Sequence, residues 1–124
     1  MYLIDSNILI YFLTDDSGRI GKFLGNLKPL AISEITLIEV LSYRYNDEEL
    51  AFVQKFLQEN FNILPLTRQI SLQTAKNRRQ KKSKTPDAII GATAICHHCI
   101  LVTNNEKDFN HLPINIINPF YSIG

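Results

Sequence analysis

Thr85-Pro86-Asp87-Ala88-Ile89-Ile90-Gly91-Ala92-Thr93-Ala94-Ile95, then Cys96-His97-His98-Cys99, then Ile100-Leu101-Val102-Thr103, is the stretch that decides the fold. Thr85 suits an N-cap and Pro86 the first helical position, which predicts a helix over 85–95. Asp87 then falls in the first turn, where the helix dipole favours an ionised carboxylate. The rest of the helix is apolar and small. Gly91, Ala92 and Ala94 suit close approach to a sheet, and the short β-branched run 100–102 suits a buried parallel strand. An acid at the polar tip of a buried helix is a place where carboxylates can gather.

Outward from that stretch, the same alternation recurs. Tyr2-Leu3-Ile4 reads as a buried strand, followed by the turn-formers Asp5-Ser6-Asn7 and an apolar helix over 8–13. A short helix is expected over 19–27. Leu30-Ala31-Ile32 reads as a second strand, with Ser33 capping a helix over 34–45. Glu39 lies on the flank of that helix's buried stripe, a costly place for an unpaired carboxylate. Asp47-Glu48-Glu49 opens another helix, with Leu50, Phe52, Val53, Phe56 and Leu57 on its inner face. Residues 61–66 read as a third strand that ends early or lies at an edge because of Pro65. Thr67 caps a helix to about Lys82, 103–109 is a polar loop, and 114–117 is a last strand before the tail 119–121. Strands alternating with helices predict one α/β domain over residues 1–124, with helices on both faces of a mainly parallel sheet.

The 124 residues allow one real core, and 45% hydrophobic content argues against disorder. With 13 basic and 12 acidic residues, net charge says nothing about nucleic acid. No apolar run reaches the ~18 residues of a membrane span, so no membrane association is expected. The start lacks a basic n-region and is broken by Asp5, which argues against a signal peptide. Two cysteines make no disulfide framework, so a reducing cytoplasm is the expected location. In Cys96-His97-His98-Cys99 the adjacent histidines cannot easily converge on one zinc ion, and the segment closes a helix rather than opening one after a strand. Packed thiols are the expectation.

Parallel α/β sheets carry their sites beyond the carboxyl ends of the strands. Asp5 follows the first strand, Glu39 lies in the helix after the second, and Asn105 and Asp108 follow the fourth. Asp87 joins them if its helix runs antiparallel to the strands. Each has a plain competing reading: Asp5 as a cap, Asp87 as a dipole partner, Glu39 paired with Arg44 or Lys55, Asp108 as a loop residue. Together on one edge, they would repel unless a cation held them. Oxygen-only ligands select hard ions, so Mg²⁺ or Mn²⁺ is expected, and a metal-bound water implies phosphodiester hydrolysis. The basic run Arg78, Arg79, Lys81, Lys82, Lys84 just before Asp87 reads as a solvated helix end or as a phosphate-contacting rim. The rim reading takes Arg78, Arg79, Lys82 and Lys84 as RNA contacts.

Leu3-Ile4-Asp5-Ser6-Asn7, Ser33-x-x-Thr36-x-x-Glu39, Asp87-Ala88-x-Ile90-x-Ala92 and Val102-Thr103-Asn104-Asn105 with Asp108-Phe109, in that order across the whole chain, resemble the PIN-domain ribonucleases. Among these the likeness is to the small toxins of prokaryotic toxin–antitoxin pairs, the virulence-associated protein C family. The resemblance implies a three-layer α/β/α fold, Mg²⁺- or Mn²⁺-dependent cleavage of RNA, and a homodimer inhibited by a small antitoxin. It carries over Asp5, Glu39 and Asp87 as metal-binding acids. Two positions depart from the family pattern: Ser6 stands where many members have Thr, and Asn105 where a fourth acid is common. Asn105 and Asp108 are expected to complete the rim. Tyr43, Tyr45, Phe120 and Tyr121 read as a dimer or antitoxin surface, or as ordinary packing. Two rivals are a catalytically inert module of the same fold and a phospho-acceptor receiver domain. The receiver needs an Asp ending the third strand, where Leu64-Pro65-Leu66 stands.

Overall fold

A computed structural model describes residues 1–123, with side chains through Tyr121. Five strands, β1 (Tyr2–Ile4), β2 (Leu30–Ser33), β3 (Asn62–Leu64), β4 (Ile100–Val102) and β5 (Ile116–Ile117), form one sheet in the order β3-β2-β1-β4-β5. Every neighbouring pair is parallel. The chain winds outward from β1 to β3, then returns to the other side of β1 for β4 and β5. The switch in winding direction therefore lies between β1 and β4, where open α/β sheets form their crevice.

The register explains the two faces. Leu3 pairs with Ala31 and Leu101, while Ile4 pairs with Val102. Leu3, Ala31 and Leu101 face one core with Ile90, Ala94, Phe109 and Leu112. Ile4, Ile32 and Val102 face the other, with Ile8, Leu9, Ile20, Leu24, Val40, Val53 and Leu57. Burying an aliphatic side chain of this size stabilises by roughly 1.5–3 kcal/mol. Two such rows outweigh the cost of holding Asp5 out of water at the end of β1.

The helices are α1 (Ser6–Thr14), α2 (Arg19–Gly25), α3 (Glu34–Leu41), α4 (Asp47–Asn60), α5 (Arg68–Gln80), α6 (Thr85–His97) and α7 (Pro119–Ile123). Ser33 and Thr67 cap as expected, accepting from Ile35 N at 3.2 Å and Ile70 N at 3.2 Å. Asn46 and Glu49 form a reciprocal capping box at the start of α4. The Thr85 cap is corrected by one position. Lys84 is the N-cap of α6 without a side-chain cap bond, and Pro86 lies in the first turn. Gly91 carries no Cβ because one would run into Leu112 Cδ1.

Other corrections have local causes. α3 stops at Leu41 rather than residue 45 because side chains take its last carbonyls. Ser42 N shifts to Glu39 O, Ser42 Oγ donates to Ile38 O at 2.6 Å, and Tyr45 Oη donates to Val40 O at 2.8 Å. Phe52 does not face inward: it is 67% exposed, since Val53 and Leu57 take the core stripe one helical step away. β3 is the expected edge strand but covers only 62–64, and β5 only 116–117. The loop after β4 contains a 3₁₀ turn over Glu106–Asp108.

Candidate active site

Asp5 lies at the switch point. Its backbone N–H donates to Val102 O at 3.0 Å, tying the end of β1 to β4. Its side chain is 3% exposed, and its Oδ2 accepts from Thr103 Oγ1 at 2.7 Å. Thr103, fully buried, accepts in turn from Asn105 N at 3.0 Å. A backbone amide thus orients a hydroxyl, and the hydroxyl orients the carboxylate.

Glu39 is aimed by a parallel device. Ser6 Oγ lies 2.7 Å from Glu39 Oε1 and 2.9 Å from Thr36 Oγ1. One hydroxyl carries one proton, and an ionised carboxylate can only accept. Ser6 therefore donates to Glu39 and accepts from Thr36, so the buried Thr36 hydroxyl fixes the direction of the chain. The pairing of Glu39 with Arg44 or Lys55 does not form: Lys55 lies 3.7 Å from Glu59. We expect Thr36→Val to lower turnover about tenfold while KM stays within twofold, the size typical of a partner acting through a functional carboxylate. Unchanged turnover with an intact fold would refute this positioning role.

A cavity of about 220 Å³ is lined by Asp5, Ser6, Asn7, Glu39, Lys84, Pro86, Asp87, Asn105 and Asp108. The antiparallel run of α6 brings Asp87 to the edge where β1 and β4 end. Asn105 Nδ2 donates to Asp108 Oδ2, which places this pair on the rim. Burial pushes the Asp5 carboxyl above its ordinary value; Thr103 and the Ser6 backbone pull it down, while Glu39 and Asp108 push it up. Asp87 is pushed up to about 6, first by burial, then by Asp5, Asp108 and Glu39, against a small opposing pull from Lys84. The acids thus sense one another's charge across the cavity.

The oxygen donors are four carboxylates, two carboxamides and the Ser6 hydroxyl, a set that suits a hard divalent ion. Among the described residues, no three His, Cys, Asp or Glu side chains are drawn together as a ready-made ligand group. The four acids line one cavity without forming such a group.

Lys82 and Lys84 line a neighbouring cavity together with Lys81 and His111, whereas Arg78 and Arg79 line neither. Arg78 Nε instead donates to Ser83 O at 3.3 Å, bracing the link between α5 and α6. Thr103 and His111 are site residues that the sequence did not single out. Thr103 stood in the Val102–Asn105 motif without a role of its own, and His111 carried no signal. Cys99 is buried in the second core and Cys96 is partly covered; both are free thiols. β3 ends at Leu64 with Pro65 next, so the acid of a receiver domain has no counterpart.

Comparison with known proteins agrees with this architecture. The ribonuclease VapC1 of Haemophilus influenzae strain R2866 is 28% identical over 123 residues, covering 90% of this chain and 92% of the relative. A solved toxin-antitoxin complex from Klebsiella pneumoniae contains a chain 33% identical, with a TM-score of 0.84 over 96% of this chain and 98% of that one. VapBC-1 from nontypeable Haemophilus influenzae shares the fold at a TM-score of 0.80 and 24% identity, over 96% and 98% of the two chains. The family model described as PIN domain matches residues 2–115. With that match spanning nearly the whole chain, and with the parallel sheet and acid-lined crevice in place, this chain belongs to the PIN domain family.

Proposed function

We propose that this protein is a metal-dependent endoribonuclease, the toxin of a toxin–antitoxin pair. The observation that carries the reading is the convergence of Asp5, Glu39, Asp87 and Asp108 on one cavity at the switch point of the sheet. The ribonuclease name of the VapC1 relatives and the 33% identity to a toxin–antitoxin chain support it.

Asp5 and Asp87 are the residues that would hold Mg²⁺ or Mn²⁺. Such an ion supplies a nucleophilic water at neutral pH and neutralises the phosphate. Glu39, with Oε1 occupied by Ser6, presents Oε2 to orient the attacking water and take its proton. Asn105 and Asp108 complete the rim, and Asn105 makes it one charge poorer than a rim closed by a fifth acid. Lys82 and Lys84, with Arg78 and Arg79 further out, attract the RNA backbone. The test is cleavage of single-stranded RNA in Mg²⁺ or Mn²⁺ and its loss in EDTA. Cleavage that survives EDTA would refute the metal role, and binding without any cleavage would favour an inert module.

A larger cavity of about 790 Å³ lies away from the acids, between α1, α4 and the 43–45 loop. It is lined by Ile10, Leu13, Tyr43, Tyr45, Phe52 and Val53, with Arg44, Glu48 and Glu49 at its rim. We assign this groove to the antitoxin, whose apolar segment would cover Tyr43, 54% exposed, and Phe52. Phe52→Glu is expected to weaken antitoxin binding at least tenfold without slowing RNA cleavage, measured with the co-expressed partner. Unchanged affinity would move the antitoxin elsewhere. Phe120 instead packs on Tyr11 with ring centroids 4.9 Å apart. Ile38 on α3 and Leu72 on α5 are exposed apolar side chains that support the homodimer; a monomeric mass by light scattering would remove it. No described helix is long and apolar enough to cross a membrane. The two free thiols support a reducing cytoplasm, and recovery in an oxidising compartment would contradict it.

A further inference from the structure

Beside the acidic cavity lies a second one, of about 340 Å³, lined by Lys81, Lys82, Ser83, Lys84, Asp87, Asp108 and His111. Lys84, Asp87 and Asp108 form the wall common to both. The lysines come from the link between α5 and α6, and His111 from the loop after β4, so two chain segments face each other across the space. Burial and the Lys81 charge lower the His111 imidazole, against an opposing pull from Asp108. Among the described residues the one ion pair is Lys55–Glu59. Lys81 and Lys82 therefore form no ion pair with a carboxylate, while Lys84 acts on Asp87 without forming one. Three lysines and a histidine face two of the acids across this hollow, and Lys81 and Lys82, with no carboxylate paired to them, suit an external anion.

We propose that this second cavity takes the RNA backbone phosphate adjacent to the one placed over the carboxylates. The inference rests on the ribonuclease reading and deepens it. Lys81, Lys82 and His111 hold the neighbouring phosphate, Lys84 serves both, and the pair of sites fixes the register of the strand. Cleavage then requires a charged phosphate on one side of the scissile bond and tolerates a neutral one on the other.

The test uses a 5′-fluorescein-labelled single-stranded RNA dodecamer, the full-length protein, and Lys81→Ala/Lys82→Ala beside a Lys22→Ala control on α2. Binding is first followed by anisotropy in EDTA over a salt series. The double variant is expected to lower the slope of log affinity against log salt by about 0.7, the change for one phosphate that the protein no longer neutralises, while the control keeps the wild-type slope. In Mn²⁺, the major cleavage site is mapped and each flanking phosphate is replaced in turn by a methylphosphonate. One replacement is expected to cut wild-type kcat/KM about tenfold and to have no further effect on the double variant. An unchanged salt slope, or losses that multiply in the double variant, would overturn the second site. Absence of cleavage by the wild type would instead sink the ribonuclease reading, and the EDTA series would still decide whether the cavity binds phosphate.

Discussion

Asp5→Asn is expected to lower RNA cleavage by roughly 10³-fold, the scale on which loss of one group acting directly at the reacting centre registers. The substitution keeps the shape and the oxygen that accepts from Thr103 Oγ1 at 2.7 Å. It removes the charge that would hold the ion. The fold is expected to gain rather than lose stability, because Asp5 is 3% exposed and feels the repulsion of Glu39 and Asp108. Asp87→Asn should behave alike, since Asp5, Asp108 and Glu39 all act on it. A drop in cleavage with a higher Tm separates a functional carboxylate from a structural one, whose loss would lower both. Near-complete residual activity in Asp5→Asn would contradict the assignment.

The second large effect is on stability against pH in the absence of metal. Asp87 is raised from 3.8 to about 6 in the folded protein. Between those values the folded state keeps a proton that the unfolded chain has released. Stability is therefore greatest below pH 4 as far as this group is concerned, and falls as pH rises to about 6. Two units correspond to about 3 kcal/mol, and the partial exposure of Asp87 reduces this to about 1–2 kcal/mol. In EDTA the Tm is expected to fall by about 5 °C between pH 4 and 6.5. Asp5, likewise raised by burial, adds to the fall; His111, held low by burial, works against it in this window, and Asp15, held low by Ser17, acts below it. Asp87→Asn should flatten the profile. Added Mn²⁺ at a hundred times its Kd should restore about 2.7 kcal/mol at pH 7, and should do so only in the protein with both acids. A profile between pH 4 and 6.5 in EDTA that is unchanged in Asp87→Asn would show that Asp87 does not bear the strain assigned to it.

The arrangement of the strands was legible because short apolar runs such as Leu3-Ile4 and Leu101-Val102 alternate with helical stripes, and only a parallel sheet accommodates that alternation. The meeting of Asp5, Glu39, Asp87 and Asp108 followed from strand ends sharing an edge. What joins them was harder to read. The bond from Thr103 to Asp5 spans 98 positions, and nothing local to either residue announces it. The Ser6–Thr36 contact is of the same kind. Phe52 misled because an aromatic residue beside a core stripe looks like part of it, and a single helical step put it on the groove instead. The early end of α3 depended on Tyr45 reaching back to Val40 O, a tertiary choice that helix propensity does not contain.

The position of β1 in the middle of the sheet has a consequence for synthesis. Its two neighbours, β2 and β4, arrive far apart in time, and the second arrives only after residue 100. A nascent chain on the ribosome lacks Thr103 and the loop bearing Asp108 until β4 has been made. The crevice is therefore completed only after residue 108, and products truncated before β4 carry the earlier acids without the wall that unites them.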